Sequence, residues 1–531
     1  MSDRHGGSPT YDVIVIGSGM GALAFASIVA QVAGRRVLVL ERHFKVGGLT
    51  HTFSRRGFTW DVGLHYVGDM EPGSTVRQLF DFITRGRVRW RKMPRLFETF
   101  VYPGLSVRVP DEPRAFQEAL IELFPDEARS IRRYFDDVRR VAGWYQREMA
   151  ATILPRPLAV VMRGLDRTAR AMALQTTKAY LDARFRDPKL KAVLASQWAD
   201  YGLPPSQSAF AIHALVVRHY LGGGYYPEGG SGGIAEAVVS IIQEAGGDVL
   251  VNHEVTEILL KDGAACGVRA LRRRGGTATE VEFYAPVVVS DAGAYTTLVR
   301  LLPNSPLGQE ERAALERAAG QGFGVVTLYL GLRESPATLG FRGENHWLFD
   351  GFDHDTLFAR RNELAQGRAV MAYLSFPSLK DPLADKSTAE IIAPVDYEVF
   401  APWRSRPWRR RGADYEALKE TISEALLELV ERHYPGFRDL VAYRELSTPL
   451  TVQHFTGALR GGIYGLPATP ERFRRGWLGP RTPVPNLLLT GSDAAAPGIV
   501  GAMMGGVMTA SYLLGPRGFP RIMAAVKAYA A

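Results

Sequence analysis

Tyr11-Asp12-Val13-Ile14-Val15-Ile16-Gly17-Ser18-Gly19-Met20-Gly21-Ala22 is the stretch whose reading decides the fold. Residues 11–16 predict a buried strand, because the apolar run is short, β-branched and ends on glycine. An Ala-rich helix is predicted over 22–32, with Gly34 just past its end. Val37–Leu40 predicts the next strand, with Glu41 at its tip. Between the first strand and the helix, Gly17 permits a tight turn and Gly19 lets the backbone approach a pyrophosphate. Ala22 is small enough for helix to meet strand. The helix N-terminus turns free N–H groups and a positive dipole end towards phosphate. Glu41 follows Ala22 by 19 residues, where an acid accepts hydrogen bonds from ribose hydroxyls. Strand, helix, strand and acid in this register predict a dinucleotide-binding α/β fold.

The 531 residues exceed one ordinary core, so two domains with a discontinuous chain path are expected. Hydrophobic residues at 46% and charged residues at 22% are ordinary for a globular protein. Cys266 is the only cysteine, which excludes a disulfide framework and a Cys-rich metal site. The net charge of +9 is read mainly as solvated surface, with an anionic membrane surface as the functional alternative. No nucleic-acid module is recognised. Residues 1–10 lack an apolar segment, so no signal peptide is expected, and no apolar run of about 18 residues predicts a membrane span. A cytoplasmic protein is expected, with association at the cytoplasmic membrane face as the further option.

Residues 111–185 differ in composition, being rich in arginine and helix formers. Leu120, Leu123 and Phe124 have amphipathic spacing, as do Ile131, Tyr134, Phe135 and Val138. A mostly helical insert is expected there. Residues 220–233 predict a glycine-rich loop, with Ser231 capping the helix that follows. Strands are expected over 249–251 and 255–260, joined to a further strand by an Asp262-Gly263 turn, and another over 287–290. Residues 300–450 mix strands (325–330, 369–376) with a helix (415–433). A last strand over 487–490 precedes Gly491-Ser492-Asp493 and a buried helix over 500–514.

The fingerprint alone leaves the nucleotide open; the rest of the chain selects FAD over NAD. Gly47-Gly48 makes a second close-approach turn after Glu41. Far downstream, Asp493 is placed to meet ribityl or ribose hydroxyls. The N–H groups of residues 499–501 are placed to face the flavin pyrimidine edge, where a helix N-terminus stabilises the negative charge of reduced flavin. NAD needs no such second clasp.

Gly48-Leu49-Thr50-His51-Thr52-Phe53, Asp61-Val62-Gly63-Leu64-His65-Tyr66 and Gly224-Tyr225-Tyr226-Pro227-Glu228-Gly229-Gly230 resemble the retinol saturase and carotenoid isomerase branch of the phytoene desaturase family. So do Ser290-Asp291-Ala292-Gly293, residues 375–382 and residues 491–506. The resemblance implies an α/β chain with a Rossmann-type FAD-binding domain of the amine-oxidase-like architecture. Into this is inserted a mixed α+β substrate domain carrying a helical region. It divides the chain into FAD-binding segments 1–85, 216–300 and 451–531, and substrate segments 86–215 and 301–450. It implies a lipophilic polyene or isoprenoid substrate taken from or near a membrane, and a reaction that saturates, desaturates or isomerises it. The residues expected to hold FAD are Gly17, Gly19, Ala22, Glu41, Arg42, Gly48, Leu49, Asp61, Gly63, Val255, Asp291, Gly491, Asp493, Ile499, Val500 and Gly501. Animal members carry an N-terminal targeting segment that is not expected here, so their compartment is not carried over.

Reduction of C=C needs a hydride from flavin and a proton from a donor. His65, Tyr66 and Glu228 are the candidate donors. Each also has a plainer reading: His65 and Tyr66 as hydrogen-bonding partners of flavin or backbone, and Glu228 as a cap. His51 is read as structural and His454 as a weaker candidate. No metal site is expected, since there is no HExxH or Cys/His cluster. Gly230-Ser231-Gly232-Gly233 is read as a helix start, which leaves no second dinucleotide fold and no assigned electron donor. Residues 144–167 intersperse Trp144, Tyr145, Ile153, Leu154, Leu158, Val160, Val161 and Met162 with Arg147, Arg156, Arg163 and Arg167. That pattern suits an interfacial segment or a helical lid over an apolar pocket. The readings left standing are a saturase or desaturase, a redox-neutral cis–trans isomerase, a polyene carrier that retains FAD, and an amine oxidase with a polar substrate.

Overall fold

Val13–Ile16 pairs in parallel with Val37–Leu40 on one side and Val288–Ser290 on the other in the computed structural model, which describes residues 11–530 with the side chain of Arg156 left out. Asp248–Leu250 and Leu487–Leu489 extend this five-stranded parallel sheet at its two edges. The sheet is thus assembled from residues far apart in the chain. Its order reverses beside Val13–Ile16, and in open parallel sheets ligands bind at the carboxyl ends of the strands near such a reversal. The reading of residues 1–10 lies outside the described residues.

The fingerprint helix is Met20–Ala33, buried on all sides from Met20 to Ala30 and ended by Gly34 in the left-handed conformation. It packs against Ile499–Leu513 and Gly232–Glu244. The contact with Ile499–Leu513 explains a glycine whose role sequence reasoning missed. A Cβ on Gly21 would sit 2.3 Å from Gly491 Cα, and one on Gly506 would sit 2.5 Å from the Gly21 carbonyl oxygen. Gly21, Gly491 and Gly506 therefore bring the two ends of the chain into backbone contact.

A three-stranded antiparallel meander (His253–Lys261, Ala264–Arg274, Thr277–Tyr284) follows, with Asp262 and Gly263 both at positive φ in its first turn. Positive φ at both central residues is the geometry that the Asp-Gly pair favours. The second body is a seven-stranded sheet in the order Val441–Ser447, Val325–Leu332, Thr388–Pro394, Met371–Ser375, Asn345–Phe349, Leu96–Tyr102 and Leu105–Pro110. Residues 86–215 are thus not helical from the start, because Trp90–Lys92, Leu96–Tyr102 and Leu105–Pro110 are strands.

The helical insert packs its apolar face on this sheet. Leu120, Ile131, Tyr134, Phe135 and Val138 are buried, whereas Leu123 of the expected stripe is exposed. Ser231 makes no cap, and its Oγ is buried without a partner. The helix Gly518–Ala530 follows the last expected element and packs on Ile499–Leu513. No single helix among the described residues is long and apolar enough to cross a membrane.

Candidate flavin and substrate site

The carboxyl ends of the parallel strands open onto one cavity of about 600 Å³ that continues to the seven-stranded sheet. Gly17, Gly19, Glu41, Arg42, Gly48, Leu49, Gly63, Val255, Asp291, Asp493 and Ile499 line it, as does His65. Glu41 is buried, and its Oε2 accepts from the Ser18 N–H at 2.9 Å and the Ser18 hydroxyl at 2.6 Å. Its Oε1 accepts from the His43 N–H at 2.7 Å. The acid therefore ties the fingerprint turn to the following loop as well as facing the cavity. Arg42 pairs with Glu254 at 3.3 Å.

Two helix N-termini meet this cavity with glycine at the N-cap. Met20–Ala33 starts at Gly19 and Ile499–Leu513 at Gly498, and neither cap side chain satisfies the first-turn N–H groups. N–H groups at helix N-termini suit anionic groups, and at the first helix the Asp291 carboxyl already accepts from the Ala22 N–H. The fingerprint backbone and Gly48 are also closely apposed, since a Cβ on Gly48 would stand 3.1 Å from Gly19 Cα. The residues present thus fit a flavin dinucleotide: Gly17, Gly19 and the first helix would take the pyrophosphate, Glu41 a ribose, and Gly498 and Ile499 the negative end of the reduced ring.

Several expected contacts lie elsewhere. Ala22 is buried behind the turn, and its N–H donates to Asp291 Oδ2 at 3.2 Å. Gly491 lies under Asp291 and Gly21. Val500 and Gly501 do not line the cavity; Gly501 turns back onto Ala496, where a Cβ would sit 2.2 Å from the carbonyl oxygen. Asp61 is buried away from the cavity because its oxygens accept from the Tyr226 hydroxyl and the Ser231 N–H. Asp493 lines the cavity, but its two oxygens already accept from the N–H groups of Leu466 and Ala294. Burial pushes the Asp291 carboxyl up to about 7, against the opposing hydrogen bond from Ala22.

Of the candidate proton donors, only His65 faces the cavity. Its Nδ1 lies 2.8 Å from Oε2 of the fully buried Glu390, whose carboxyl is pushed up by burial. Its carbonyl oxygen accepts from Lys380 Nζ, which also donates to Asn345 and Ser375. Burial drives the Lys380 amine down to about 7, opposed by Glu390. Glu228 is remote: it lies by a separate surface depression with Arg77, Arg89 and Tyr529, so it is not part of this site. Tyr66 stands one layer behind the cavity wall, its ring stacked on Tyr220. His51 lines the cavity with Nδ1 at the Gly48 carbonyl, and burial drives it down to about 4. His454 stacks on Trp408 outside the lining.

The deep end of the cavity is apolar and aromatic, walled by Trp198, Phe323, Trp347, Phe349, Met371, Tyr373 and Tyr464. One acid, Asp200, breaks this wall among the described residues; the other lining acids, Glu41, Glu254, Asp291 and Asp493, belong to the dinucleotide end. Sequence reasoning missed Asp200 and its neighbour Glu98. Glu98 had a legible signal: a carboxylate in the apolar strand Leu96–Tyr102 needs partners. Asp200, the last residue of the 3-10 turn Ser196–Asp200, carried none.

Comparison with known proteins agrees with this geometry. The family model for flavin containing amine oxidoreductase matches residues 26–401. All-trans-retinol 13,14-reductase from Rattus norvegicus is 33% identical over 95% of this chain and 85% of its own length. The Homo sapiens protein of that name is 34% identical over the same shares. Prolycopene isomerase 2 from an Oncidium hybrid cultivar is 27% identical over 96% of this chain and 85% of its own. Among solved structures, a putrescine oxidase triple mutant superposes with a TM-score of 0.64 at 16% identity, over 95% of this chain and 98% of that one. Cyclohexylamine oxidase from Brevibacterium oxydans gives 0.61 at 16% identity, over 98% and 100%. With a dinucleotide cleft, two glycine-capped helix ends and relatives along almost its whole length, the chain belongs to the flavin-containing amine oxidoreductase family, in the branch of the retinol saturases and carotenoid isomerases, and is a flavin-dependent oxidoreductase.

Proposed function

We propose that this protein is an FAD-dependent reductase that saturates a C=C bond of a lipophilic polyene or isoprenoid. The observation that carries the reading is the continuity of the dinucleotide cleft with a deep aromatic chamber. A long apolar chain in that chamber has one end beside the cleft and the rest shielded from water. FAD is favoured over a smaller flavin because Glu41, Arg42, His43 and Val255 extend the same cavity to a nucleotide end. Bound there in reduced form, FAD supplies a hydride at N5. The chain's own residues hold the pyrophosphate at Gly17 and Gly19, exclude water at Trp198 and Phe349, and keep ionisable groups at the wall. Saturation is preferred to isomerisation because the relatives named as 13,14-reductases are more similar than those named as isomerases.

The same reading takes the protein to the cytoplasmic face of a membrane, where such a substrate resides. The exposed apolar side chains of Leu158, Val160 and Val161 support it.

The test is to reduce the purified protein anaerobically, add a panel of retinoids and carotenoids, and weigh the products. A gain of two hydrogens is expected. Unchanged mass with altered retention would replace the reading by an isomerase, binding without turnover by a carrier, and turnover of amines alone by an amine oxidase.

A further inference from the structure

We propose that Asp200 is the general acid of this site, delivering the proton that completes C=C saturation, and that Tyr66 and Glu98 are positioning residues that hold and return that proton. The inference rests on the reductase reading and adds to it the source of the second hydrogen.

Three groups form a chain leading into the cavity wall. The Tyr66 hydroxyl lies 2.5 Å from Glu98 Oε1 and 2.8 Å from Asp200 Oδ2. A phenol has one proton to donate, so it cannot donate to two carboxylates at once. One of the acids must carry a proton and donate it to the phenol oxygen. The partners decide which. Glu98 also accepts from Trp347 Nε1 at 3.1 Å and Gln197 Nε2 at 2.6 Å. Three donors favour its carboxylate form. Among the described residues Asp200 has Tyr66 as its one side-chain hydrogen-bond partner and faces the apolar chamber, so the proton belongs to it. Around Asp200 stand Tyr66, Glu98, Tyr201, Tyr220, Tyr373 and Tyr464, and the Lys380 cation acts on the pair from the Glu98 side. Burial, then the Glu98 charge, holds the Asp200 carboxyl well above the usual carboxylate range. Burial also lifts Glu98 to about 7. A neutral acid beside an apolar chain is the form a proton donor requires.

The step balances. The π bond of the substrate breaks; one carbon takes the hydride of the reduced flavin, which is thereby oxidised by two electrons. The adjacent carbon takes the Asp200 proton and forms a C–H bond, leaving Asp200 as carboxylate. The Tyr66 hydroxyl then passes a proton to Asp200 and recovers one through Glu98 from solvent.

The test uses full-length flavin-loaded protein reduced with dithionite, with all-trans-retinol as probe. Asp200→Asn should lower kcat by about 100-fold or more with KM unchanged, the range a general acid contributes. Wild-type kcat should fall as pH rises and Asp200 loses its proton, and the variant should lose that limb. Independently of turnover, infrared difference spectra of wild type at neutral pH should carry a protonated-carboxyl C=O band that Asp200→Asn removes. Should Asp200→Asn fail to fold, Tyr66→Phe should shift the alkaline limb while retinol still quenches tryptophan fluorescence. Unchanged kcat, a change in KM alone, an unmoved limb or a missing infrared band would overturn the proposal while wild type still reduces the polyene. A wild type that reduces no polyene would instead remove the reductase reading on which it rests.

Discussion

Nδ1 of His65 stands 2.8 Å from Oε2 of Glu390, a carboxylate with no exposed surface. His65 borders the cavity, and Glu390 projects from the strand Thr388–Pro394 behind it. The contact falls short of full hydrogen-bond geometry and is an ion pair only when His65 is protonated, so removing His65 costs the desolvation of the polar group left behind, ~1–3 kcal/mol. His65→Ala should therefore lower stability by about that amount. The double variant His65→Ala/Glu390→Gln should recover part of the loss. Urea denaturation of the four proteins of the cycle measures the coupling, and an additive result would show that the pair does not interact.

Glu41→Ala removes the acceptor of two Ser18 donors and the His43 N–H together. Charge-assisted hydrogen bonds contribute ~1.5–3 kcal/mol each, so flavin should bind about ten- to a hundredfold more weakly. Glu41→Gln, which can still accept, should fall between. Flavin absorbance retained after dialysis reads the effect, and equal retention in all three proteins would count against the role.

Much of the cofactor cleft was legible because its demands are local. A strand, a turn at Gly17 and Gly19 and an acid at the next strand tip are all set by residues within one βαβ unit. What sequence reasoning missed is non-local. Gly21 needs glycine because Gly491 and Gly506, nearly five hundred residues away, arrive against it. Asp61 reads as a cofactor ligand from its motif, yet Tyr226 and Ser231 occupy its oxygens. Tyr66 and Asp200 are separated by 134 residues and meet only after the insert folds over the sheet. Glu228, the residue after the short strand Tyr225–Pro227, lines a surface depression apart from the main cavity.

Asp291 introduces a pH dependence into cofactor binding. Its carboxyl, pushed up to about 7 by burial, lies against the N-terminus of the fingerprint helix, where the pyrophosphate is expected. As pH rises through that value the group becomes an anion beside a second anion. Flavin affinity should therefore decrease between pH 6 and 8 (about one unit either side) in wild type. Asp291→Asn keeps an acceptor for Ala22 without the charge and should bind with little pH dependence. Flavin titrations followed by fluorescence across this window distinguish the two, and parallel curves would refute the assignment.

Lys380 should leave a signature in stability. Burial holds its amine near 7 in the folded chain, against an ordinary value of 10.5. Between those limits the unfolded chain binds the proton that the folded chain does not. The unfolded state then holds more protons, so the contribution of this group to stability rises with pH from about 7 to about 10.5. Below that window the folded chain must protonate a buried amine. Lys380→Met should flatten the difference, so the stability of wild type relative to the variant should increase with pH across it. Melting temperatures of both proteins at matched pH provide the measurement, and a constant difference would exclude the linkage.

The helix Arg156–Gly164 gives the membrane reading a direct test. Leu158, Val160 and Val161 are 57%, 69% and 67% exposed, while Ala159 packs inward. Arg163 follows this ridge in the same helix, paired with Glu148 at 2.7 Å, and Arg167 opens the next helix, so apolar side chains suited to acyl chains lie close in sequence to cations suited to lipid phosphates. Burying three such side chains contributes about 1.5–3 kcal/mol each at most, and the arginines add more on an anionic surface. Because the ridge makes little contact with the core, Leu158→Ser/Val160→Ser/Val161→Ser should leave melting temperature and flavin content unchanged. Co-sedimentation with phosphatidylserine-containing vesicles should fall at least tenfold, and turnover of a polyene presented in those vesicles should fall with it. Turnover of the same polyene in detergent should not. Equal sedimentation of variant and wild type would rule out this helix as a membrane contact.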